Sequence, residues 1–259
     1  MYAEERQQAI ASLVMERGRA SVSELAQAYD VTTETVRRDL AALDRAGVVR
    51  RVHGGAVPVR ALHLVEPGVG ERDVTRAEHK DAIAAAATDF LPRSGGTLLL
   101  DAGTTTMRIA AHLPTDRQLV VVTNSVPIAA RLATVPTVTL QLLGGRVRGT
   151  TQAAVGEQAL RVLDTLRVDV AFVGTNGLSV RHGLSTPDSD EAAVKRAMVA
   201  AANYVVVTAD SSKVGREDFV SFAPLSSVDT LITDPEISPA DQAELSDHGV
   251  EVICAGGPT

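Results

Sequence analysis

Apolar positions in the first 57 residues recur at helical spacing. Ile10, Leu13 and Val14 stand at i, i+3 and i+4, which predicts an amphipathic helix over about 4–17, ended by Gly18. Ser21-Val22-Ser23-Glu24 has the form of a capping box, with the glutamate three residues after the serine. It predicts a short second helix with Leu25, Ala26 and Tyr29 on one face. After the break at Asp30-Val31, Thr32 or Thr33 caps a third helix, about Thr32–Ala46, whose Val36, Leu40 and Leu43 face inward. Gly47 ends it. Val48–Val52, His53-Gly54-Gly55 and Ala56-Val57 read as strand, turn, strand.

Two short helices about a tight turn, then a third helix and a hairpin, describe a winged helix-turn-helix. A small helical oligomerisation module has the same periodicity. Charge separates the two. The chain carries a formal net charge of -7, yet residues 1–57 hold eight Arg and eight Asp/Glu and are neutral. Arg37-Arg38 on the third helix and Arg50-Arg51 on the hairpin give a basic helix and a basic wing, as a duplex phosphate surface requires. The expected DNA contacts are Thr33, Thr35, Arg37 and Arg38 on the helix, and Arg50, Arg51 and His53 on the wing.

From about residue 76 the pattern becomes short apolar runs alternating with helical segments. The runs are Thr97–Asp101, Leu119–Thr123, Val138–Leu143, Val168–Val173, Tyr204–Thr208, Val228–Thr233 and Val250–Ile253. Helices are expected near 107–113, 125–133, 156–166, 187–202 and from 239. Continuous apolar strands between helices predict an α/β fold with a mostly parallel sheet. Residues 58–75 contain Pro58, Pro67, Gly68 and Gly70 with no periodicity, which predicts a linker. The expected division is 1–57 DNA-binding, 58–75 linker and 76–259 sensor.

Ligands of open α/β sheets sit beyond the carboxyl ends of the strands. Those ends are polar here: Asp101-Ala102-Gly103-Thr104-Thr105-Thr106, Thr123-Asn124-Ser125, Gly144-Gly145-Arg146 and Asp210-Ser211-Ser212-Lys213. The first loop runs into a helix, whose exposed N–H groups and dipole favour an anion. A helix cap with spare threonines is the plain alternative, and Arg146 and Lys213 alone read as surface cations. Their convergence on one sheet edge predicts a phosphate site of Asp101, Gly103, Thr104, Thr105, Thr106, Asn124, Gly145, Arg146 and Lys213. Asp101 would order the loop or meet a ligand hydroxyl. Glu191 either contacts a sugar hydroxyl or forms a solvated i, i+4 pair with Lys195.

Composition excludes other classes. The single cysteine, Cys254, allows no intrachain disulfide, and the six histidines show no metal-ligand spacing, so no metal or cofactor is expected. No apolar run reaches the ~18–20 residues that span a bilayer, and Met1–Glu5 does not read as a signal peptide. A cytoplasmic location and no membrane partner are expected.

Thr32-Thr33-Glu34-Thr35-Val36-Arg37-Arg38-Asp39-Leu40 and Arg51-Val52-His53-Gly54-Gly55-Ala56 resemble the recognition helix and wing of the DeoR family of bacterial transcriptional regulators. Asp101-x-Gly-Thr-Thr, Thr123-Asn124, Gly144-Gly145, Phe172-Val173-Gly174-x-x-Gly177, Glu191-Ala192-x-Val194-Lys195-Arg196 and Asp210-x-Ser212-Lys213-x-Gly215 resemble its effector domain. That domain is similar in fold to ribose-5-phosphate isomerase. The resemblance implies a phosphorylated sugar or polyol effector, a homo-oligomer, an operator in double-stranded DNA and repression of a sugar-catabolic operon. It also raises a rival reading, a sugar-phosphate isomerase with Glu191 as base. The isomerases carry an acidic cluster after the strand that matches 168–173. This chain has Gly174-Thr175-Asn176-Gly177 there, so binding without turnover is expected.

Overall fold

The computed structural model describes residues 3–17, 20–45, 48–52, 54–58 and 67–256. The chain divides into two units, 1–62 and 63–259.

The first unit contains α1 (Ala3–Arg17), β1 (Ala20–Ser21), α2 (Val22–Ala28), α3 (Thr33–Arg45), β2 (Val49–Val52) and β3 (Gly55–Pro58). The capping box forms as expected: Ser21 Oγ accepts from Glu24 N–H, and the Glu24 carboxylate accepts from Ser21 N–H at 2.8 Å. Ile10, Val14, Leu25, Val36, Leu40, Leu43 and Val49 close one core. The expected strand–turn–strand is a hairpin, and β1 adds a third strand to it, pairing antiparallel with β3. Gly55 is required there, because a Cβ would collide with the Ala20 carbonyl.

The second unit starts earlier than its periodicity suggests. Residues 67–75, expected as linker, contain helix α4 (Val69–Val74), which is held by polar contacts to the rest of the unit. Residues 59–66, also assigned to the linker, lie outside the described residues. Then follow α5 (Ala77–Ala86), β4 (Thr97–Leu100), α6 (Thr104–Ala111), β5 (Leu119–Thr123), α7 (Val126–Leu132), β6 (Val138–Leu142), β7 (Arg146–Val147) and β8 (Ala154–Val155). The chain continues through α8 (Glu157–Asp164), β9 (Val168–Gly174), β10 (Gly177–Ser179), β11 (Gly183–Thr186), α9 (Ser189–Ala201) and β12 (Ala202–Thr208). It closes with β13 (Val220–Ala223), β14 (Thr230–Thr233), α10 (Pro239–Asp247) and β15 (Glu251–Cys254).

Seven strands form one sheet in the order β15-β14-β12-β9-β4-β5-β6, and every neighbouring pair is parallel. Alternate residues feed two cores. Leu98 and Leu100 of β4 join Ile83 of α5, Ile109 of α6 and Ile128 of α7. Leu99 faces the other way, toward Leu163 of α8, Met198 of α9 and Leu245 of α10. Burial of both faces explains why the strands read as unbroken apolar runs. The chain builds outward from β4 through β5 to β6, then returns to β9 on β4's other side. The order therefore reverses between β4 and β9, and a crevice at their carboxyl ends is the expected ligand position. Among the described residues no helix is long and apolar enough to cross a membrane.

Candidate functional sites

In the first unit, α3 is anchored from behind. Asp39 is buried and accepts from Arg6 Nε at 2.6 Å and Gln7 Nε2 at 3.0 Å. This ion pair raises the Arg6 pKa. Asp39 therefore fixes α3 against α1. Thr32 Oγ1 caps the helix by accepting from Thr35 N–H at 3.2 Å, and it lies 2.9 Å from Thr35 Oγ1. The outer face carries Thr33, Arg37 and Arg38, all exposed, with Thr35 half-buried at its edge. Arg37 lies 3.7 Å from the exposed Glu34, a pair too solvated to hold it. Asp44 accepts from Arg51 N–H at 3.2 Å, which ties the wing to α3, and the Arg51 side chain is exposed. Arg50 lies on β2 in register with Val57, while the Arg50 side chain and His53 lie outside the described residues.

In the second unit, the Asp101–Thr106 segment leaves β4 at the strand-order reversal. Gly103 caps α6 with no side-chain hydrogen bond, and Thr104, Thr105 and Thr106 follow, all buried. Thr106 Oγ1 turns back to the Gly103 carbonyl at 3.0 Å. The helix start thus presents backbone donors at the strand ends.

Several residues expected to meet a ligand have other partners. Asp101 is 1% exposed and forms an ion pair with Lys195, which donates to the Gly174 carbonyl at 3.0 Å. Asp101 also accepts from Gly174 N–H at 3.0 Å. Burial pushes the Asp101 carboxyl above the usual range, against the pull of Lys195 and Gly174. Together these bonds fasten β4 to β9, which fits loop ordering rather than hydroxyl recognition. Glu191 does not form the i, i+4 pair with Lys195, which reaches Asp101 instead; it is buried, and its Oε1 accepts from Thr151 and Arg148. Asn124 is held at both ends of its amide: its Oδ1 accepts from Ala102 N–H at 2.9 Å, and its Nδ2 donates to the Ala154 carbonyl at 3.3 Å. It positions the loop. Gly145 has φ +138°, and a Cβ would strike the Val155 carbonyl, so it serves the β7–β8 pairing. Arg146 is exposed and pairs with Asp190 at 2.5 Å.

Lys80 was missed by the sequence reading. It is buried on α5 and donates to the carbonyls of Arg72 and of Thr75, the latter at 2.7 Å. Burial lowers its pKa to about 8; Asp210 opposes that shift, while Lys213, Arg108 and Arg72 add to it. Asp210, Lys213, Arg108 and Arg72 are therefore each within electrostatic reach of Lys80. Arg108 also donates to the Thr104 carbonyl at 3.0 Å, in the first turn of α6. A lysine three residues before Ile83, on an apolar helix face, is the signal that would have found it. Thr208, at the end of β12, is buried with an unpartnered hydroxyl. It lies on the same sheet face as Val206, which packs against α5 and α6.

A cavity of about 590 Å³ lies at the opposite edge, lined by Phe90, Arg93, Asp169 and Tyr204 among others. Asp169 is spent there on Thr97, accepting from its N–H at 2.7 Å and its hydroxyl at 2.8 Å. That edge holds the amino ends of the strands, away from the α6 N-terminus.

The DeoR-like helix-turn-helix domain family matches residues 6–60, and the DeoR C-terminal sensor domain family matches residues 75–235. The transcriptional regulator GlpR of Haloferax volcanii is 39% identical over 96% of this chain and 96% of its own. The transcriptional repressor CsqR of Escherichia coli is 33% identical over 93% of this chain and 91% of its own. Among solved structures, ribose 5-phosphate isomerase A of Methanocaldococcus jannaschii aligns with 54% of this chain and 55% of its own, at TM-score 0.40 and 18% identity. That likeness is too slight to bear on activity.

Proposed function

The chain belongs to the DeoR family of helix-turn-helix transcriptional regulators, and on that footing we propose which residues read DNA and which hold the effector. Thr33, Arg37 and Arg38 face base edges in the major groove, with Thr35 at the margin of that face. Arg50, Arg51 and His53 meet phosphates from the wing. The exposed basic face of α3 supports this, since Asp39, the acid beside Arg38, is turned inward to Arg6.

The effector is a phosphorylated sugar or polyol, bound at the α6 N-terminus by Gly103–Thr106, Lys213 and Lys80. One observation supports this reading: α6 starts without a side-chain cap directly after β4, where the strand order reverses, so its backbone N–H groups lie at the carboxyl ends of the strands. An anion there meets those donors and the positive end of the helix dipole. The relatives named as regulators support binding over turnover, and Glu191, the base of the enzyme alternative, is buried with its Oε1 bonded to Arg148 and Thr151. The regulator acts as a homo-oligomer in the cytoplasm, two-fold operators being read by paired helices. Repression is the favoured sign, as in the relative named a repressor.

Calorimetry with a panel of sugar and polyol phosphates tests the site. Binding heat that Lys213→Glu abolishes is expected, and undiminished affinity in that variant overturns the assignment. Gel shifts on the DNA upstream of the chain's own gene test the first unit.

A further inference from the structure

Residues 132–145 include no Asp, Glu, Lys or Arg, in a chain where charged residues make up 22%. Their strand, β6, is one edge of the seven-stranded sheet, and among the described residues no strand pairs with its outer side. Natural sheets blunt such edges with charge, a bulge or a cover, because a free edge invites further pairing. The other edge, β15, is protected in this way: it begins with Glu251, and 252–254 are half-buried. On β6, Thr139, Gln141 and Leu142 are exposed.

In a parallel pair, alternate residues of a strand bond to the neighbouring strand. Leu119 N–H donates to the Thr137 carbonyl at 3.0 Å, and Leu143 N–H to the Thr123 carbonyl at 2.8 Å, so the odd-numbered residues of β6 bond to β5. The peptide groups of Leu140 and Leu142 therefore face outward. Val138 has the same parity, but its N–H is taken by the Val135 carbonyl at 3.1 Å. Leu142 is 49% exposed and shares the sheet face of Val138 and Leu140, which α7 covers with Ile128 and Leu132.

We propose that a second copy of this chain pairs antiparallel with β6 about a two-fold axis at Gln141, joining two sheets into one. This rests on the homo-oligomer proposed above and gives it an interface. With the axis there, Leu140 lies opposite the partner's Leu142, and Leu142 opposite the partner's Leu140. Each pair exchanges two hydrogen bonds, so the outward N–H and C=O groups of both leucines are all used. An axis at Leu140 would instead set Val138, whose N–H is already bonded, against the partner's Leu142. The two Gln141 meet at a non-hydrogen-bonded position, where side chains come closest and one amide donates to the other. The leucines make two apolar cross-strand contacts on the α7 face. No like charges oppose one another, as a contact of one patch with its own copy requires.

Sedimentation velocity of the full chain, with cysteine cross-linking in a Cys254→Ser background, tests this. The parent is expected to sediment as an oligomer, and Leu142→Lys to weaken self-association about tenfold. Val74→Lys, exposed on α4, is expected to sediment as the parent does. Leu142→Pro removes an N–H that the fold of one copy does not use; it is expected to fold, by circular dichroism, and to dissociate likewise. Gln141→Cys forms a disulfide-linked dimer on mild oxidation, since its two Cα atoms lie about 4.5 Å apart. Thr139→Cys does not, because a four-residue offset separates its two copies by more than about 13 Å. An oligomer that persists in Leu142→Lys or in folded Leu142→Pro overturns the β6 interface and leaves the homo-oligomer standing. So does a failure to cross-link at 141, or cross-linking at 139. Equal dissociation by Val74→Lys assigns the effect to added charge and refutes the edge pairing. A parent that is monomeric at every concentration removes both the homo-oligomer and the interface.

Discussion

Lys195→Met removes one charge from the bond between β4 and β9 while keeping most of the side chain's length. The Lys195 side chain is 6% exposed and that of Asp101 is 1% exposed. After substitution, Asp101 keeps only the Gly174 N–H as a partner. Stranding one member of a buried pair costs about 3–5 kcal/mol. For a unit of this size each kcal/mol moves the melting temperature by about 2–4 °C, so Tm falls by roughly 6–20 °C. Asp101→Asn strands the lysine and costs a similar amount. The double variant leaves no unpaired charge and is expected to cost clearly less than the sum of the two. The deficit of Lys195→Met is also pH-dependent. Loss of the lysine raises the folded pKa of Asp101 further above its unfolded value of 3.8. The penalty is thus absent below that value and grows as pH rises through the folded pKa. Urea unfolding of the full chain followed by circular dichroism, between pH 4 and 8, reads all of this. Single variants costing under about 1 kcal/mol, or strict additivity, would refute the reasoning.

Arg37→Ala and Arg38→Ala are each expected to weaken binding to the upstream DNA by about 1–3 kcal/mol in fluorescence anisotropy. The base-reading arginine is distinguished by relaxed specificity, and parental affinity in both variants refutes the α3 assignment. Asp39→Ala removes the Arg6 and Gln7 bonds that hold α3 to α1, so the first unit melts at a lower temperature in thermal unfolding, and an unchanged Tm refutes that anchoring role. Exposed Glu34→Ala serves as the near-neutral control. Lys80 has a folded pKa of about 8 against 10.5 unfolded. Between those values the unfolded chain binds more protons, so stability relative to Lys80→Met rises from pH 8 to 10.5. A flat difference in urea midpoint across that window refutes the lowered pKa.

Elements governed by local physics were legible. The Ser21 capping box forms bond by bond, and Leu119–Thr123 lies in a sheet covered on both faces, so its apolar run signals a strand without alternation. What escaped depends on partners distant in the chain. Helix α4 has no apolar face to betray it, because its anchors are Thr150, Arg108 and Lys80. β1 is two residues long and exists only by pairing with β3. In the sensor crevice the residue types and their location were readable, but the pairings were not. The Glu191–Lys195 spacing suggests a mutual contact, yet each reaches across the fold, to Arg148 and to Asp101.

Those pairings fix the walls of the crevice. On one side Asp101 meets Lys195, Glu191 and Asp188 meet Arg148, and Asp190 meets Arg146, so acids and bases cancel and their work is to fix the loops. On the other, Arg108 is paired with Asp73 and Asp81, and Lys80 is within electrostatic reach of Asp210 as well as of Lys213, Arg108 and Arg72. Under the proposed reading, a polyol phosphate sets its dianion against the free N–H groups at the start of α6 and its hydroxyl end toward the Arg146–Asp190 and Arg148–Glu191 pairs. Phosphate therefore supplies the affinity and the hydroxyls supply the discrimination. Removing the phosphate from a bound effector should abolish binding, whereas changing one hydroxyl's configuration should grade it.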